Sequence, residues 1–492
     1  MTDRTVPIRP AYPKLLVAVL ALSGVSASFM QTILIPIQPQ LPQLLHASGQ
    51  DTAWVITATL VAAAISSPIA GRLGDMYGKQ RIAMVLLVLQ LCGAILAALS
   101  DTLAPMIIAR VLQGVAAGVI PLGIAILRDV LPPQRLGSAI ALISATLGVG
   151  GALGLPISAL VAANLDWHAL FWIAAALTLA CLVLYAKVVP AGSLRAAGRL
   201  DFVGIAGLTV GLVSALIAVS RGGQWGWGDP RTLILFVGGI AILILWGIFE
   251  LRVTDPLVDL RASASRPVLL TNLASVAMGF ALFASSIVFP QLLQLPLATG
   301  VGLGLSLVAA ALVLAPAGLA MMAMAPVAGR IQRARGSKTL LIVGTFVIAI
   351  SYGSALLFHA AFWQILIVNT LLGAGIGLGY AAMPALIMQA VSPSETGAAN
   401  GLNALMRSLG TSIAAAVVGA VLAQSATNTG NNLGPSETGF MITLTLGLAA
   451  ALLCIVIASF IPQRRIQKDG RASMGTSAMS TAAFANSSQS RR

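Results

Sequence analysis

The sequence predicts an all-α integral membrane protein in which fourteen helices cross the lipid bilayer. Two observations predict this fold class. Of the 492 residues, 58% are hydrophobic and only 9% are charged, whereas soluble domains carry roughly a quarter charged residues. Apolar runs of about 20 residues, the length that spans a bilayer, recur along the whole chain. A large soluble domain therefore has no room, and an ordinary cytosolic protein is excluded.

The apolar runs are separated by polar segments, and their edges define the predicted spans. These are 15–37, 52–70, 82–99, 104–126, 138–162, 169–186, 202–220, 232–249, 268–290, 304–328, 339–358, 362–390, 400–423 and 439–462. The first run lacks a clear small-x-small cleavage site, so we interpret it as an uncleaved span and not as a signal peptide. An even number of spans places both termini on the same side.

The distribution of Lys and Arg predicts which side that is. With the N-terminus inside, 24 of the 28 Lys and Arg residues fall in inner segments, and only Arg221 and Arg231 fall in outer ones. Cytoplasmic loops of membrane proteins carry such an excess of cations. We therefore expect a multi-pass protein of the plasma or inner cell membrane with both termini cytoplasmic. The net charge of +14 follows from this bias, so nucleic acid is not an expected partner.

An internal repeat predicts how the spans are grouped. Segment 68–73 (PIAGRL) at the end of span 2 reappears as segment 326–331 (PVAGRI) at the end of span 10. We therefore predict an N-terminal six-helix half (1–190), two linker spans, 7 and 8 (191–262), a C-terminal six-helix half (263–462) and a disordered cytoplasmic tail (463–492). Parallel repeats of this kind suit alternating access around a site between the halves.

The segment after span 2, 71–81 (GRLGDMYGKQR), has a composition that suits a gate. Gly71 and Gly78 permit a tight turn between helices. Asp75, among cations that include Arg81, can bridge to a neighbouring helix end and separate from it when a transporter changes state. The segment resembles the signature loop of the major facilitator superfamily. A plain basic loop would explain the cations but not Asp75, and Arg333 occupies the equivalent position in the second half, which predicts an Asp-dependent gate in the first half only.

Span 4 carries Arg110, Gln113 and Gly114, a pattern that resembles a second motif of the superfamily. A charge inside a span is costly and is functional by default. The resemblance implies that Arg110 assists proton coupling. The alternative is a structural Arg that reaches the membrane edge.

Span 5 carries Gly150, Gly154 and Pro156, which resemble a variant of the glycine-proline motif found in the antiporters of the superfamily. The resemblance implies export. The alternative is close helix packing alone, since small residues let helices approach each other.

Several short segments resemble the fourteen-span drug:proton antiporter family. They are Leu200-Asp201 with Gly204, the pair Gly226-Trp227, and segment 255–260 (DPLVDL). The resemblance covers nearly the whole chain, roughly 15–462. One departure concerns span 1, where that family commonly has an Asp and this chain has Met30. No Asp or Glu lies deep in any predicted span, so the proton-carrying group is not evident.

Polar residues within the predicted spans are candidates for the wall of a substrate cavity. Hydrogen bonding between helices is the alternative and commoner role of such residues. The candidates are Gln31, Thr32, Asn272, Asn369, Tyr380, Asn403 and Arg407.

The sequence thus predicts a secondary active transporter that exports hydrophobic or amphipathic small molecules, such as drugs or metabolites, by proton antiport and alternating access. The expected partners are the substrate, protons and membrane lipids, with no cofactor and no metal, and we expect a monomer. Two alternatives stay open: an exporter dedicated to one lipid or metabolite, and a uniporter or uptake carrier of the same fold. An enzyme is not expected, because no nucleophile or metal-ligand constellation is present. An ATP-driven pump is disfavoured, because the chain has no phosphate-binding loop of the G-x-x-x-x-G-K type.

Overall fold

A computed structural model describes residues 12–190, 199–429 and 432–462, most of which are helical. The predicted tail, 463–492, lies outside the described residues. The helices are α1 (Pro13–Thr32), α2 (Leu41–Leu44), α3 (Gly49–Tyr77), α4 (Lys79–Ala98), α5 (Leu103–Val115), α6 (Val119–Val130), α7 (Pro133–Asn164), α8 (Ala169–Val188), α9 (Phe202–Trp225), α10 (Pro230–Glu250), α11 (Leu260–Ser263), α12 (Arg266–Gln294), α13 (Leu307–Ala323), α14 (Ala325–Leu357), α15 (Phe362–Ala390), α16 (Thr396–Gln424) and α17 (Glu437–Ser459).

Helical segments long and apolar enough to cross a bilayer confirm the predicted fold class. Thirteen such segments occur among the described residues, and one of them, Leu307–Leu357, is 51 residues long. At 1.5 Å per residue a helix of that length would measure about 77 Å, more than twice the hydrocarbon thickness. The backbone of this segment is broken at Gly336, where φ is +85°. It therefore accounts for two crossings, in agreement with the predicted count.

The largest departure from the predicted limits concerns the signature segment, 71–81. It is helical up to Tyr77, and α4 begins at Lys79. The turn therefore consists of Gly78 alone, whose φ of +108° is accessible to glycine at little cost. Since α3 extends seven residues past the predicted end of span 2, the motif residues project from helices.

A second departure is a short β-hairpin in the connection between α16 and α17. Strand β1 (Ala426–Thr429) pairs antiparallel with β2 (Asn432–Pro435), with Ala426 opposite Pro435. The segment is rich in Asn, Thr and Gly and has no apolar run. Such residues disfavour helix, and an antiparallel pair of strands replaces the helical hydrogen bonds here.

One packing relation occurs twice among the described helices. In the first part of the chain α1 packs on α7 and α8, and in the second part α12 packs on α16 and α17. The two sets meet where α3 contacts α16 and where α7 contacts α13 and α14. The described chain up to Ile461 forms one compact unit, so the limits predicted for the halves stay a prediction.

The two linker helices, α9 and α10, cover the seam between α3 and α16. Leu208 and Leu212 of α9 form a buried cluster with Ala64 of α3 and Leu402 of α16. On α10, Ile234, Val237, Ile244, Leu245 and other apolar side chains are exposed. Since α10 is apolar and mostly unpacked, this face suits contact with lipid chains.

Candidate transport site and gate

The end of the helical bundle that carries Asp75, Lys79, Arg128 and Arg333, here called the basic end, is closed by contacts between α3 and α16. The buried Asp75 carboxylate accepts hydrogen bonds from the backbone N–H groups of Gly397 (3.1 Å) and Ala398 (2.8 Å) at the start of α16. The first N–H groups of a helix lack intrahelical partners, and the helix dipole is positive there. A carboxylate satisfies both requirements, so Asp75 holds the start of α16 against α3.

Two glycines bring these helices into backbone contact. A Cβ placed on Gly71 would collide with the carbonyl oxygen of Gly397. A Cβ on Gly397 would lie 2.7 Å from the Gly71 oxygen and 2.8 Å from an oxygen of Asp75. Since any side chain would force the helices apart, the two glycines permit the short hydrogen bonds of Asp75.

Lys79 links the closing carboxylate to a second acidic residue. Its Nζ donates to Oδ2 of Asp129 at 2.6 Å and lies 3.7 Å from Oδ1 of Asp75. The Lys79 side chain is fully buried. Arg81, which was predicted to take part in gating, is exposed and has no hydrogen bond or ion pair within the described ranges.

Arg128, at the end of α6, is a closing residue that the sequence analysis missed. Its guanidinium donates to Thr396 Oγ1 (2.6 Å) and to the carbonyl oxygens of Val391 (3.1 Å) and Ser392 (3.3 Å). These acceptors lie between α15 and α16, so Arg128 adds a second polar contact between the two sets of helices. The adjacent pair Arg128-Asp129 at the end of a span was the available signal.

The second copy of the motif lies in α14 and contacts the start of α7. The charged group of this contact is a cation. Arg333 of α14 donates from Nη1 to the carbonyl oxygen of Gln134 at the start of α7 (3.0 Å). A Cβ on Gly329 would collide with the Ser138 hydroxyl, so α14 and α7 are also in close contact. Gly336, with φ of +85°, follows Arg333 as Gly78 follows Asp75. The contact at α16 therefore uses the Asp75 carboxylate together with Arg128, whereas the contact of α14 with α7 uses Arg333.

Arg110 is fully buried among α1, α3 and α5. Its guanidinium donates to Gln113 Oε1 (2.6 Å) and to the carbonyl oxygens of Met30 (2.8 Å) and Val55 (3.3 Å), while Nη2 has no partner in the described structure. Gly114 brings α5 against α3, where a Cβ would collide with the Thr59 carbonyl. Arg110 thus bonds the backbone at Met30, the position where the resembling family has its Asp.

The glycine-proline helix, α7, packs tightly against α1. A Cβ on Gly150 would collide with Ser28, and one on Gly154 would collide with Thr32. Thr32 also donates a hydrogen bond to the Gly150 carbonyl at 3.3 Å. Pro156 lies within the helix. On another face, Gly148 of α7 contacts α13, so α7 connects the two sets of helices.

Above the basic-end contacts a narrow cavity lies between α6 and α7 on one side and α15 and α16 on the other. Arg407 lies in its wall, with the guanidinium carbon 5.0 Å from the ring centre of Tyr380. The lining residues are Ile120, Pro121, Ile124, Ser144, Leu147, Pro384, Asn400, Asn403, Ala404 and Arg407. No Asp or Glu lines it.

The other predicted cavity residues are mostly engaged in contacts between helices. Asn403 donates to Asn272 Oδ1 (2.9 Å) and Ser275 Oγ (2.7 Å), which joins α16 to α12. Asn369 donates to the Leu314 carbonyl (3.2 Å), which joins α15 to α13. Gln31 is part-exposed in α1. For the three asparagines the geometry favours interhelical hydrogen bonding, although Asn403 also lines the cavity.

A pair of buried carboxyl groups lies at the basic end of the linker helices. Asp201 caps α9 through a hydrogen bond from the Gly204 N–H (2.7 Å). The Glu250 side chain is 2% exposed and lies beside Asp201. A Cβ on Gly204 would lie 2.4 Å from Asp201 Oδ2 and 2.6 Å from Glu250 Oε1. Among the described residues, the two Glu250 oxygens and Asp201 Oδ2 have no hydrogen-bond partner. No Lys or Arg of the described ranges forms an ion pair with either group.

Comparisons with known proteins agree with this architecture. The family model described as Major Facilitator Superfamily matches residues 20–415 and 272–486. A lincomycin resistance protein of Listeria monocytogenes is 28% identical over 459 residues, which cover 91% of this chain and 94% of that protein. A tetracenomycin C resistance and export protein of Streptomyces glaucescens is 28% identical over 406 residues, which cover 80% of this chain and 72% of that protein.

A solved structure has the same fold at low sequence identity. The human organic anion transporter MFSD10 superposes with a TM-score of 0.65 at 16% identity, over 91% of this chain and 100% of that one. Since the family model spans most of the sequence and the helices pack as two related sets, the chain is a multi-pass membrane protein of the major facilitator superfamily.

Proposed function

We propose that this protein is a secondary active exporter of hydrophobic or amphipathic small molecules and belongs to the fourteen-span drug:proton antiporter family. The observation that carries the proposal is the polar contact of Asp75 with the start of α16, which closes one end of the bundle between the two sets of helices. Relatives named for antibiotic resistance and export support the outward direction.

The proposed mechanism is alternating access. Hydrogen bonds at Asp75, Arg128 and Arg333 contribute to closing the basic end. Such contacts can be broken and remade as rigid halves rock, since each contributes only about 1.5–3 kcal/mol. The conformation described here has this end closed. The positive-inside rule supports its placement on the cytoplasmic side of the cell membrane, where the protein would act as a monomer.

Proton antiport requires a group that ionises, and the structure offers two candidate places. Protonation of Asp75 would remove the negative charge that holds the start of α16, which would favour opening of the basic end. Asp201 and Glu250 are the second place, because two adjacent buried carboxylates repel each other unless they share a proton. We propose that protons act at these carboxyl groups, since span 1 has Met30 in place of an Asp.

A uniporter is the second candidate. Met30 supports it, because the position that carries a carboxylate in the resembling family has no ionisable group here, and Arg110 bonds the backbone carbonyl of Met30 instead. A uniporter would move its substrate equally well with and without a proton gradient.

The deciding experiment is transport in proteoliposomes with imposed pH and voltage gradients, with the neutral dye N-phenyl-1-naphthylamine as the probe. Antiport predicts that an inward proton gradient drives dye movement against its own gradient, and that Asp75→Asn lowers the rate about tenfold. Asp229→Asn, at the exposed N-cap of α10 at the opposite end, is the matched control and retains the wild-type rate. Movement that ignores the gradient would establish the uniporter, and no movement would count against both.

A further inference from the structure

Arg407 lies near the middle of α16, and its guanidinium forms no hydrogen bond or ion pair with the described residues. Arg407 is the twelfth residue of this helix, about 15 Å along the axis from Gly397. Its guanidinium lies over the face of Tyr380. A charge inside a membrane protein costs several kcal/mol unless it is compensated. The five N–H donors of this group are therefore available for a ligand.

The backbone around Arg407 is fixed by α12, which determines where the side chain can go. A Cβ on Gly279 of α12 would collide with the Arg407 carbonyl oxygen, and a Cβ on Gly410 would collide with the Val276 carbonyl. The face of α16 around Arg407 and Gly410 is therefore covered by α12. The Arg407 side chain lies in the cavity wall, to which Ser144 of α7 also contributes.

Further hydrogen-bonding atoms around this cavity are also unused. Among the described residues, the Ser144 hydroxyl, Oδ1 of Asn400 and the Tyr380 hydroxyl are buried and have no hydrogen-bond partner. Ser144 and Asn400 line the cavity. Hydroxyl groups can donate to an anion. The remaining wall is apolar, with Ile120, Ile124 and Leu147, and it carries no carboxylate that would compete for the guanidinium.

We propose that Arg407 is the anion-recognition residue of this cavity and that the molecules exported are amphipathic anions. The guanidinium would bind a carboxylate, sulfonate or phosphate group with two parallel hydrogen bonds. The cavity measures only about 10 Å³ in this closed conformation, so the apolar wall would hold the hydrophobic body once the helices separate. The proposal rests on the proposed export function and adds the charge of the substrate to it. A lipid headgroup and a free amphipathic anion share this chemistry, and the test separates them.

Two dyes that differ only in a sulfonate group provide the test: 1-anilinonaphthalene-8-sulfonate, which is anionic, and N-phenyl-1-naphthylamine, which is neutral. Saturable binding is measured by fluorescence with the purified protein in phosphatidylcholine nanodiscs, against empty discs. We expect the wild type to bind the sulfonate at least about tenfold more tightly than the neutral dye. Arg407→Gln abolishes this preference and leaves the affinity for the neutral dye unchanged, whereas Arg407→Lys retains part of it.

The matched control is Arg330→Gln, which removes one positive charge from an exposed position at the basic end and keeps the preference. Tyr380→Phe keeps the ring under the guanidinium and removes the hydroxyl, with an expected loss of about threefold for the sulfonate only. In discs that contain phosphatidylglycerol, weaker sulfonate binding by the wild type but not by Arg407→Gln would identify lipid headgroups as the anion. Unchanged binding would identify free amphipathic anions.

Several results would overturn the proposal. Equal affinities of the wild type for the two dyes would do so, as would wild-type sulfonate binding by Arg407→Gln. Loss of both dyes in Arg407→Gln with full recovery in Arg407→Lys would assign the charge a structural role instead. Efflux of the neutral dye from cells is measured separately. If no efflux occurs, the proposed export function is wrong. If efflux occurs but the protein does not prefer the sulfonate, only the anion site is wrong.

Discussion

The partners of single residues distinguish this transporter from the family that its sequence resembles. Arg110 donates to the Met30 carbonyl, Gln113 and the Val55 carbonyl, and Met30 stands where the resembling family commonly has an Asp. Three neutral acceptors satisfy part of the guanidinium, and Nη2 stays unpaired. Within the described residues the charge is therefore stabilised by neutral acceptor groups and not by an ion pair.

The residue-scale prediction concerns Asp75. Asp75→Asn removes the charge at the start of α16 and leaves one carbonyl oxygen for two N–H donors. We expect the closed basic end to lose about 1–2 kcal/mol, which changes the ratio of closed to open forms roughly five- to thirtyfold. Spin labels at Arg81→Cys and Arg330→Cys, in a Cys92→Ser background, report the change as a longer distance between the two sets of helices.

The control for this measurement is Asp101→Asn, which changes an exposed acid at the opposite end. It leaves the distance distribution as in the wild type. An Asp75→Asn protein with the wild-type distribution would contradict the role assigned to this carboxylate.

Among the elements, α16 shows how glycine positions determine helix packing. Gly401 of α16 meets the Ser67 carbonyl of α3, whereas Gly419 of the same helix has no atom within 4 Å of its would-be Cβ. We expect Gly401→Ala to destabilise the α3–α16 contact and to lower the thermal unfolding midpoint, because overpacking costs about 1–3 kcal/mol. Gly419→Ala removes the same glycine flexibility without a collision, so its midpoint is unchanged or higher. Equal effects of the two substitutions would rule out this explanation.

We expect the two acidic side chains of the linker helices, Asp201 and Glu250, to make the stability of the protein depend on pH. Glu250 lies beside Asp201, and the backbone amides of Leu257 and Val258 are close to its carboxyl group. Ionisation of Glu250 beside Asp201 destabilises the folded state as the pH rises, so the wild-type unfolding midpoint falls between about pH 5 and pH 7. Glu250→Gln cannot ionise, and its midpoint falls less over the same range.

Asp229→Asn is the control for this pH series, because it changes an acid of α10 that lies at the opposite end. It keeps the wild-type pH dependence. A Glu250→Gln protein whose midpoint falls as steeply as that of the wild type would show that the pair carries no shared proton.

The sequence predicts elements better than it predicts their partners. Hydropathy locates every span, because burial in lipid requires long apolar runs whatever the packing. The contact of Asp75 with Gly397 joins residues 322 positions apart and depends on backbone N–H groups, which no side-chain pattern reveals. Arg128 was missed for the same reason, since two of its three acceptors are main-chain carbonyls. Asn272 and Asn403 were correctly recognised as polar residues within spans, but only the fold shows that they bond to each other.

At the scale of the whole molecule, the charge bias predicts the orientation in the membrane. The basic end, which includes the exposed Arg135 at the start of α7, is expected to face the cytoplasm. In a Cys92→Ser background, a membrane-impermeant maleimide should label Asp101→Cys in intact cells. It should label Arg135→Cys only after permeabilisation. The reverse pattern would contradict the predicted orientation.

The difference between the two seams has a consequence for how the molecule moves. The α3–α16 seam is held by the Asp75 carboxylate, whose charge a proton removes, and by the guanidinium of Arg128, whereas the α14–α7 seam is held by the guanidinium of Arg333. Protonation of Asp75 would therefore weaken one edge of the bundle and leave the Arg333 contact at the other edge unchanged. Opening of the basic end would then be a rotation about the α14–α7 seam, with the gap widening first between α3 and α16, beside α9.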